Sequence, residues 1–232
     1  AIGDAYASGA DSFAAAIANN TSTYGATGVN SIAIGYQCKA TGPNTVSIGQ
    51  SNTASGNNAT AIGYFNTASG YYTTALGYDN TTSGAFGHAI GYQAVSSVKG
   101  KGAYASGAFS ADGDAQSGLI TLRSDTADAT AEAMTTDNLT AGIYNQIILP
   151  NNSAYAFHGT IVARESATDG TECAAWKIEG LIRREGSAGT TVLVNSATTV
   201  IDNTPSWGMA LSADTTNGGL AITVTGAAAT NI

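Results

Sequence analysis

The sequence is poor in charge. Of its 232 residues, only 10% are Asp, Glu, Lys or Arg, whereas about 25% is usual for a globular chain. Helical bundles and coiled coils carry charged residues on their solvent-facing positions, so the deficit excludes them. The few charges are also unbalanced, with eight basic and sixteen acidic residues and a net charge of −8. A chain of that sign repels nucleic acids and anionic membrane surfaces, and we expect no nucleic-acid partner.

Cysteine and proline are scarce as well. Cys38 and Cys173 stand far apart, outside any Cys-x-x-Cys or Cys/His spacing, which excludes a structural zinc site. A disulfide between them is disfavoured, because disulfide-stapled scaffolds are shorter and richer in cysteine. No run of about 18 apolar residues is present, so we expect no membrane insertion. The chain starts with Ala1-Ile2-Gly3, inside a repeat, and we therefore expect it to be a fragment.

Glycine is abundant, and much of it belongs to a 14-residue repeat. An apolar residue followed by glycine recurs at Ile34-Gly35, Ile48-Gly49, Ile62-Gly63, Leu76-Gly77 and Ile90-Gly91. Seven residues after each of the first four glycines stands a second corner, at Gly42, Gly56, Gly70 and Gly84. Seven residues suit one strand of about five residues and a tight turn. The repeat therefore predicts a coil with two short strands per turn.

Alternation along each strand predicts which side chains fill this coil. We expect residues 32 and 34 and their equivalents to point inward, so that Ile34, Ile48, Ile62, Leu76 and Ile90 stack as an apolar column, and Ser31 and Ala33 to point outward. The second half-turn has a small inward column, Ala40, Ala54, Ala68 and Thr82, so the coil must be flat. The amides of Asn52, Asn66 and Asn80 are expected to pair along the stack.

The pattern changes after Gly91. Val98 stands where a corner glycine is expected, so we predict a loss of register and an exposed excursion at Lys99 to Gly102. Ala105-Ser106-Gly107 then predicts one last turn. The excursion should be cut by trypsin before Arg183 or Arg184, which a strand would protect.

One large aliphatic residue per turn makes a thin core against the entropy of ordering fourteen residues. Three coils side by side would bury the remaining apolar faces. We therefore expect a homotrimer.

The repeat resembles the head domain of trimeric autotransporter adhesins, whose motif is of the type Asn-Ser-x-Ala-Ile-Gly, here Asn30 to Gly35. The resemblance implies a left-handed parallel β-roll over residues 1–112. The same coil is similar to segments of bacteriophage tail fibres, so the resemblance indicates the fold better than the function.

The composition changes at about residue 113, and the rest of the chain predicts an antiparallel β-sandwich over residues 113–232. Strands are predicted at Leu119 to Arg123, Ile143 to Leu149, Tyr155 to Arg164, Ala174 to Arg183, Thr191 to Val194, Met209 to Ser212 and Leu220 to Thr225. Tyr155, Phe157, Gly159 and Ile161 should share a face, as should Ala174, Trp176, Ile178, Gly180 and Ile182. The opposite face should carry His158, Arg164, Lys177, Glu179 and Arg183.

Several strings in this half resemble a recurrent C-terminal domain of phage tail-fibre proteins. They are Gly113 to Ser117 leading into Leu122-Arg123, Leu149 to Phe157, Ala174-Ala175-Trp176 and Ala210 to Gly218. The fold class we predict is thus all-β, a left-handed parallel β-roll followed by a β-sandwich in a homotrimeric fibre.

Catalytic motifs do not stand out, so we expect no enzyme and no cofactor. His88 occupies the slot of Ile32 and Val46, and a packed or trimer-facing imidazole is expected there rather than a general base. His158 should be solvated. Asp112-Gly113-Asp114 lacks the downstream glutamate of a calcium loop and predicts a junction turn.

The resemblances imply a trimeric phage tail fibre that attaches to a host cell surface through a glycan or an outer-membrane receptor, located on the virion and in contact with other virion proteins. A bacterial trimeric surface adhesin and a purely structural filament remain alternatives, and ice binding through Thr53, Thr67 and Thr81 is a weaker one. Candidate receptor contacts are the recurrent Tyr36, Tyr64, Tyr78 and Tyr92, which could stack on sugars or merely pack, and the polar sheet residues His158, Lys177 and Arg183.

Overall fold

The computed structural model describes residues 5–15, 22–166, 171–203 and 205–228. Ala1-Ile2-Gly3, on which the expectation of a fragment rests, lie outside the described residues. The chain divides into two compact units, residues 1–121 and 122–232, which are described one at a time.

The first unit is a parallel β-coil with two sheets. Its larger sheet consists of β1 (Phe13–Ala15), β3 (Ile32–Tyr36), β5 (Val46–Gln50), β7 (Thr60–Tyr64), β9 (Thr74–Tyr78), β11 (His88–Tyr92) and β13 (Gly102–Ser106), closed by the antiparallel β14 (Gln116–Leu119). The smaller sheet has two-residue strands: β2 (Gly25–Ala26), β4 (Lys39–Ala40), β6 (Thr53–Ala54), β8 (Thr67–Ala68), β10 (Thr81–Thr82) and β12 (Val95–Ser96). The predicted two-strand repeat is confirmed.

The repeated glycines are explained by the contact between successive turns. Gly63 has φ +122, and a Cβ atom built there would lie 2.0 Å from the carbonyl oxygen of Gly77. The equivalent Gly49 has φ +119, with a Cβ position 2.1 Å from the oxygen of Gly63. Both the backbone conformation and the close approach of the next turn therefore require glycine.

The interior of the coil corrects the predicted orientation of the large strands. Ala33, Ala61 and Ala75 have no exposed surface, whereas Ile34 is 36% and Leu76 41% exposed. The predicted column of Ile34, Ile48, Ile62, Leu76 and Ile90 thus faces outward, and Ser31 and Ala33 face inward. His88 is exposed as well, so its predicted inward position is wrong. The buried positions of the coil hold mostly Ala, Ser, Thr and Asn side chains, with Val98 and Lys101 as the larger exceptions.

The small column of the second half-turn is confirmed, because Ala40, Ala54, Ala68 and Thr82 are fully buried. The asparagine column is confirmed too. Asn66 Nδ2 donates to Asn52 Oδ1 at 3.0 Å, and Asn80 Nδ2 donates to Asn66 Oδ1 at 2.9 Å. Each of these asparagines is fully buried, and its Nδ2 also donates to one backbone carbonyl of its own turn and one of the next turn. Hydrogen bonds, rather than a large apolar core, thus hold this edge of the coil together.

The predicted loss of register after Gly91 is wrong. His88 pairs with Gly102 and Tyr92 with Ser106, which keeps the 14-residue spacing. Ala105 therefore continues the strand opposite Gly91 instead of forming a corner. Lys101 is only 7% exposed, and its backbone oxygen accepts a hydrogen bond from His88 N. The predicted exposed excursion is consequently a regular turn, in which Lys101 is buried and Lys99 is half-buried. The order of tryptic cleavage after Lys99, Lys101, Arg183 and Arg184 stays a prediction.

A side chain closes the end of the smaller sheet. Gln116 Oε1 accepts from Val95 N at 2.8 Å, and Gln116 Nε2 donates to Val95 O at 3.1 Å. The amide of Gln116 thereby takes the place of the strand that a further turn would add. β14 begins at Gln116 and pairs with β13 of the larger sheet. It thus occupies the edge of that sheet to which a further turn would otherwise pair.

The second unit contains two antiparallel sheets. One has the order β17 (Ser153–Arg164), β18 (Cys173–Arg184) and β19 (Val192–Asn203). The other contains β15 (Ala131–Ala133), β16 (Ile147–Ile148), β20 (Gly208–Asp214) and β21 (Gly219–Thr225), with β21 paired to the other three strands. A short 3₁₀ helix, Ala188–Thr190, precedes β19.

Six of the seven predicted strands of this half are present, though with shifted ends. The strand expected at Leu119 to Arg123 is wrong, because β14 ends at Leu119 and Arg123 forms only an isolated bridge with Thr135. The strand expected at Thr191 to Val194 is much longer, and β15 is not predicted at all.

The face assignments of β17 and β18 are confirmed. Phe157 lies opposite Gly180, and Ile161 lies opposite Trp176. Ile161, Trp176 and Ile182 belong to one apolar cluster with Leu220 and Ile222 of the other sheet. The two sheets thus share a core.

Cys38 is buried in the coil and Cys173 is exposed on β18, both as free thiols. Among the described residues, no helix has the length and apolarity needed to cross a bilayer.

Candidate binding surfaces

The outer face of the large coil sheet is apolar and almost free of charge. Three outward columns run along it, and they comprise Ile32, Val46, Thr60, Thr74 and His88; Ile34, Ile48, Ile62, Leu76, Ile90 and Tyr104; and Tyr36, Gln50, Tyr64, Tyr78 and Tyr92. None of these residues is Asp, Glu, Lys or Arg. We call this surface the outer coil face. Contiguous apolar patches of this kind on soluble proteins mark interaction sites.

Three of the four candidate tyrosines form a ladder on this face. The rings of Tyr64 and Tyr78 stack with centroids 5.2 Å apart, and those of Tyr78 and Tyr92 with centroids 4.7 Å apart. Tyr36 is separated from the ladder because Gln50 lies between it and Tyr64. Each ladder ring is about 40% exposed. The three rings present a continuous partly apolar edge with hydroxyl tips.

The environment of the ladder affects ionisation of its middle ring. The pKa of Tyr78 is raised above its usual value, and the largest cause is loss of hydration. The charges of Tyr92, Asp79 and Tyr64 raise it further. A phenol with its ordinary pKa of about 10 is already protonated at neutral pH, so the shift leaves the ability of Tyr78 to donate a hydrogen bond unchanged there.

A second aromatic cluster lies at the corners that precede the large strands, and the sequence analysis missed it. Tyr72 and Phe86 stack with centroids 5.6 Å apart, and Tyr71 contacts both rings edge-on. Tyr72 and Phe86 have φ of 54 and 59. Their 14-residue separation is the signal that could have found the pair, but it spans only two turns.

The three polar candidates of the second unit all lie on the outer face of its three-stranded sheet. His158 is directly opposite Glu179, and Lys177 is opposite Thr160, which makes His158 and Lys177 diagonal neighbours. Arg183 lies farther along β18, where it forms an exposed ion pair with Glu185. The structure thus brings together the first two candidates and separates the third.

The acidic turn at residues 112–114 is tied to the end of the coil. Asp114 accepts hydrogen bonds from the backbone N–H groups of Phe109, Ser110 and Ala111. These bonds lower the pKa of Asp114. The carboxylate of Asp114 thus stabilises this turn. Across the described residues, no three His, Cys, Asp or Glu side chains gather into a metal-binding group.

Comparison with known proteins supports the repeat. The family described as YadA head domain repeat (2 copies) matches residues 26–50, 40–66 and 68–94. These segments contain the strands from β3 to β7 and from β9 to β11. No curated protein and no solved structure matches the chain. Residues 26–94 therefore form a β-roll with repeats of the YadA head type.

Proposed function

We propose that this chain is part of a homotrimeric adhesive fibre. The observation that carries the proposal is the outer coil face. Its middle column, from Ile34 to Tyr104, has an apolar or aromatic residue in each of the six parallel strands β3, β5, β7, β9, β11 and β13. In the single chain, Ile34, Leu76 and Ile90 of this column are each more than a third exposed. At about 4.8 Å per strand, the face is roughly 24 Å long. Association of three copies would cover it and would supply the apolar core that the narrow coil lacks.

The attachment role rests on this architecture and on the second unit. In our proposal the coil is a stiff shaft, and the second unit presents the recognition surface to a host cell envelope. Three copies allow individually weak contacts to add, so each site needs little affinity of its own. A phage tail fibre on the virion is the particular fibre that we propose, on the strength of the strings at 113–117, 149–157 and 210–218. A bacterial surface adhesin is the alternative, and the head-type repeat fits it equally well.

Adsorption of the labelled intact chain to a panel of bacterial cells tests the proposal. We expect saturable binding to some strains, which a pair of substitutions on the outer sheet face, His158→Ala with Lys177→Ala, weakens. Tyr72→Ala, in the second aromatic cluster and outside the outer coil face, serves as the matched change in the shaft, since Tyr72 is exposed. If only Tyr72→Ala abolishes adsorption, the shaft recognises the receptor, and if no strain binds, the attachment role is overturned.

A further inference from the structure

One side of the second unit ends in two strands that each have an open edge. Among the described residues, β19 pairs only with β18, and β20 pairs only with β21. No backbone hydrogen bonds join either strand to a further strand within that part of the chain. An edge of this kind presents a row of N–H and C=O groups to which another chain can pair. We call this side of the second unit, formed by β19 and β20, the open flank.

The middle of β19 lacks the features that protect edge strands from association. Bulges at Val194 and Ile201 separate a regularly paired segment, residues 195–200, from the two ends of the strand. All six residues of this segment are exposed, and none of them is charged or proline. Natural proteins blunt exposed edges with charges, prolines or a covering segment. We therefore expect this edge to be covered in the assembled protein.

The core side of β19 is uncovered as well. Val200 lies opposite Trp176, and Thr198 lies opposite Ile178, so all four side chains lie on the face of the sheet that forms the core. Trp176 and Ile178 are no more than 4% exposed, whereas Val200 is 57% exposed. The second sheet of the unit thus covers β18 but not β19.

The two edges of the open flank run in opposite directions. Only four residues, 204–207, link the end of β19 to the start of β20. Met209 and Leu211 of β20 pack against the core cluster that contains Trp176, so β20 runs back beside β19. The link is fixed by Asn203, whose side chain accepts from Trp207 N and donates to Trp207 O, both at 2.8 Å.

The symmetry of a trimer selects the partner of each edge. Antiparallel pairing of β19 with β19 of a second copy has a twofold axis and stops at a dimer, whereas each contact of a cyclic trimer joins two different surfaces. Around a threefold axis, three open flanks present β19 and β20 alternately, so β20 of one copy meets β19 of the next in antiparallel orientation. The seven residues of β20 match the six of segment 195–200 in length. The charged residues of the two strands, Asp202 and Asp214, then lie at opposite ends of the pair.

The size of the outer coil face also calls for a second contact. That face is about 24 Å long and, with strands of five residues, about 16 Å wide, so it covers about 400 Å². A stable interface takes about 800 Å² from each partner. Because each copy in a trimer contacts two others, the outer coil face alone falls short.

We infer that β20 of each copy pairs with β19 of the next copy, so that the three open flanks close around the threefold axis. The inference rests on the proposed homotrimer and adds a contact within the second unit. It uses neither His158 nor Lys177, which therefore remain available for the proposed attachment to a cell surface.

Hydrogen–deuterium exchange of the intact chain, followed by mass spectrometry, tests this contact. A strand that is paired on one side has about half of its N–H groups in the ladder, whereas a strand paired on both sides has all of them bonded. We therefore expect slow exchange at every amide of residues 195–200 in the assembled protein.

Thr198→Lys places a charge on the open flank. It should return about half of these amides to fast exchange, and it should raise the concentration at which the trimer dissociates by at least about tenfold, because burial of an unpaired ammonium is costly. The matched control is Ala156→Lys on β17, the other edge of the same sheet, which should change neither quantity. Both positions are exposed in the single chain, so circular dichroism should show that both variants remain folded.

The outcomes separate this contact from the coil seam. Fast exchange of about half of the amides of residues 195–200 in a trimeric parent would overturn the contact and leave the homotrimer intact. Equal effects of Thr198→Lys and Ala156→Lys would overturn it too. If folded Leu76→Glu chains still form trimers with slow exchange at residues 195–200, the coil seam is overturned and this contact stands. A monomeric parent would overturn both.

Discussion

Asn66 Nδ2 donates a hydrogen bond of 3.0 Å to Oδ1 of Asn52, the equivalent residue one full turn earlier, in the interior of the coil. The backbone N–H of Asn66 donates to the same oxygen at 2.9 Å. This one amide oxygen thus accepts hydrogen bonds from both the side chain and the backbone of the next turn. The same pair of hydrogen bonds joins Asn80 to Asn66, so the asparagines align each turn of the coil with the next.

Replacing Asn66 with alanine should therefore destabilise the coil strongly. The change removes the acceptor of Asn80 N and Nδ2 and the donor to Ile62 O and Gly77 O. Unpaired buried groups of this kind cost about 1–3 kcal/mol each, and we expect a total loss of at least about 3 kcal/mol. Thermal unfolding followed by circular dichroism measures the change. Asn57→Ala, at an exposed corner, is the control and should cost under about 0.5 kcal/mol; equal losses in both variants would refute the ladder.

Gly63→Ala should prevent the coil from stacking. The added methyl group would lie 2.0 Å from Gly77 O, on a backbone with φ +122. Adjacent turns would have to separate, so we expect loss of cooperative folding or a large fall in melting temperature. Gly102→Ala is the matched change, because its nearest contact is 3.9 Å away. Comparable melting of the two variants would contradict the close approach of the turns.

Lys101 gives the coil a dependence on pH. Burial lowers the pKa of its ammonium group from 10.5 to about 8. The unfolded chain therefore binds more protons than the folded chain between about pH 8 and 10.5, and stability should rise with pH over that window. Below pH 8 the buried charge costs the folded state about 3 kcal/mol.

Lys101→Met should remove this cost. The variant should be more stable than the parent at pH 7, and the advantage should vanish towards pH 10.5. Val95 O loses the bond from Lys101 Nζ but keeps the one from Gln116 Nε2, so no acceptor is left unpaired. Urea unfolding at several pH values measures the difference. A gain that is independent of pH would mean that desolvation of the ammonium is not the cause.

The repeat predicted the strands of the coil but not which side of them faces inward. The 14-residue period placed each five-residue strand, and alternation separated Ile34 from Ala33. Hydrophobicity then assigned isoleucine to the interior. The structure reverses this because the buried positions between the two layers of the coil hold mostly small side chains, and the isoleucines face the surface on which a partner is expected to lie. Sequence periodicity carries no information about such a partner.

The register at Lys101 escaped prediction for a related reason. Val98 and Lys101 break the consensus, yet the coil needs only side chains that can be buried at those positions. Val98 is 2% exposed, and Lys101 extends its stem inside and bonds to Val95 O. In the second unit, alternating apolar residues located β17 and β18 well. The length of β19 was underestimated because Asn195 to Thr199 are all small or polar residues.

Leu76→Glu should disrupt assembly. Leu76 lies in the middle of the outer coil face and is 41% exposed in the single chain, so the substitution itself meets no steric obstacle in one protomer. Burying three carboxylates in an apolar seam would be costly. We expect a monomer or an unfolded chain by size-exclusion chromatography with light scattering. Ser83→Glu, at an exposed corner, should assemble normally, and assembly of Leu76→Glu would place the seam elsewhere.

Sedimentation equilibrium of the intact chain tests the central claim most directly, which is that the outer coil face is covered by two further copies. The mass should be three times 23.1 kDa, and it should persist on dilution until the chains dissociate and unfold in a single concentration-dependent transition. A folded, stable species of 23.1 kDa at micromolar concentration would contradict the account.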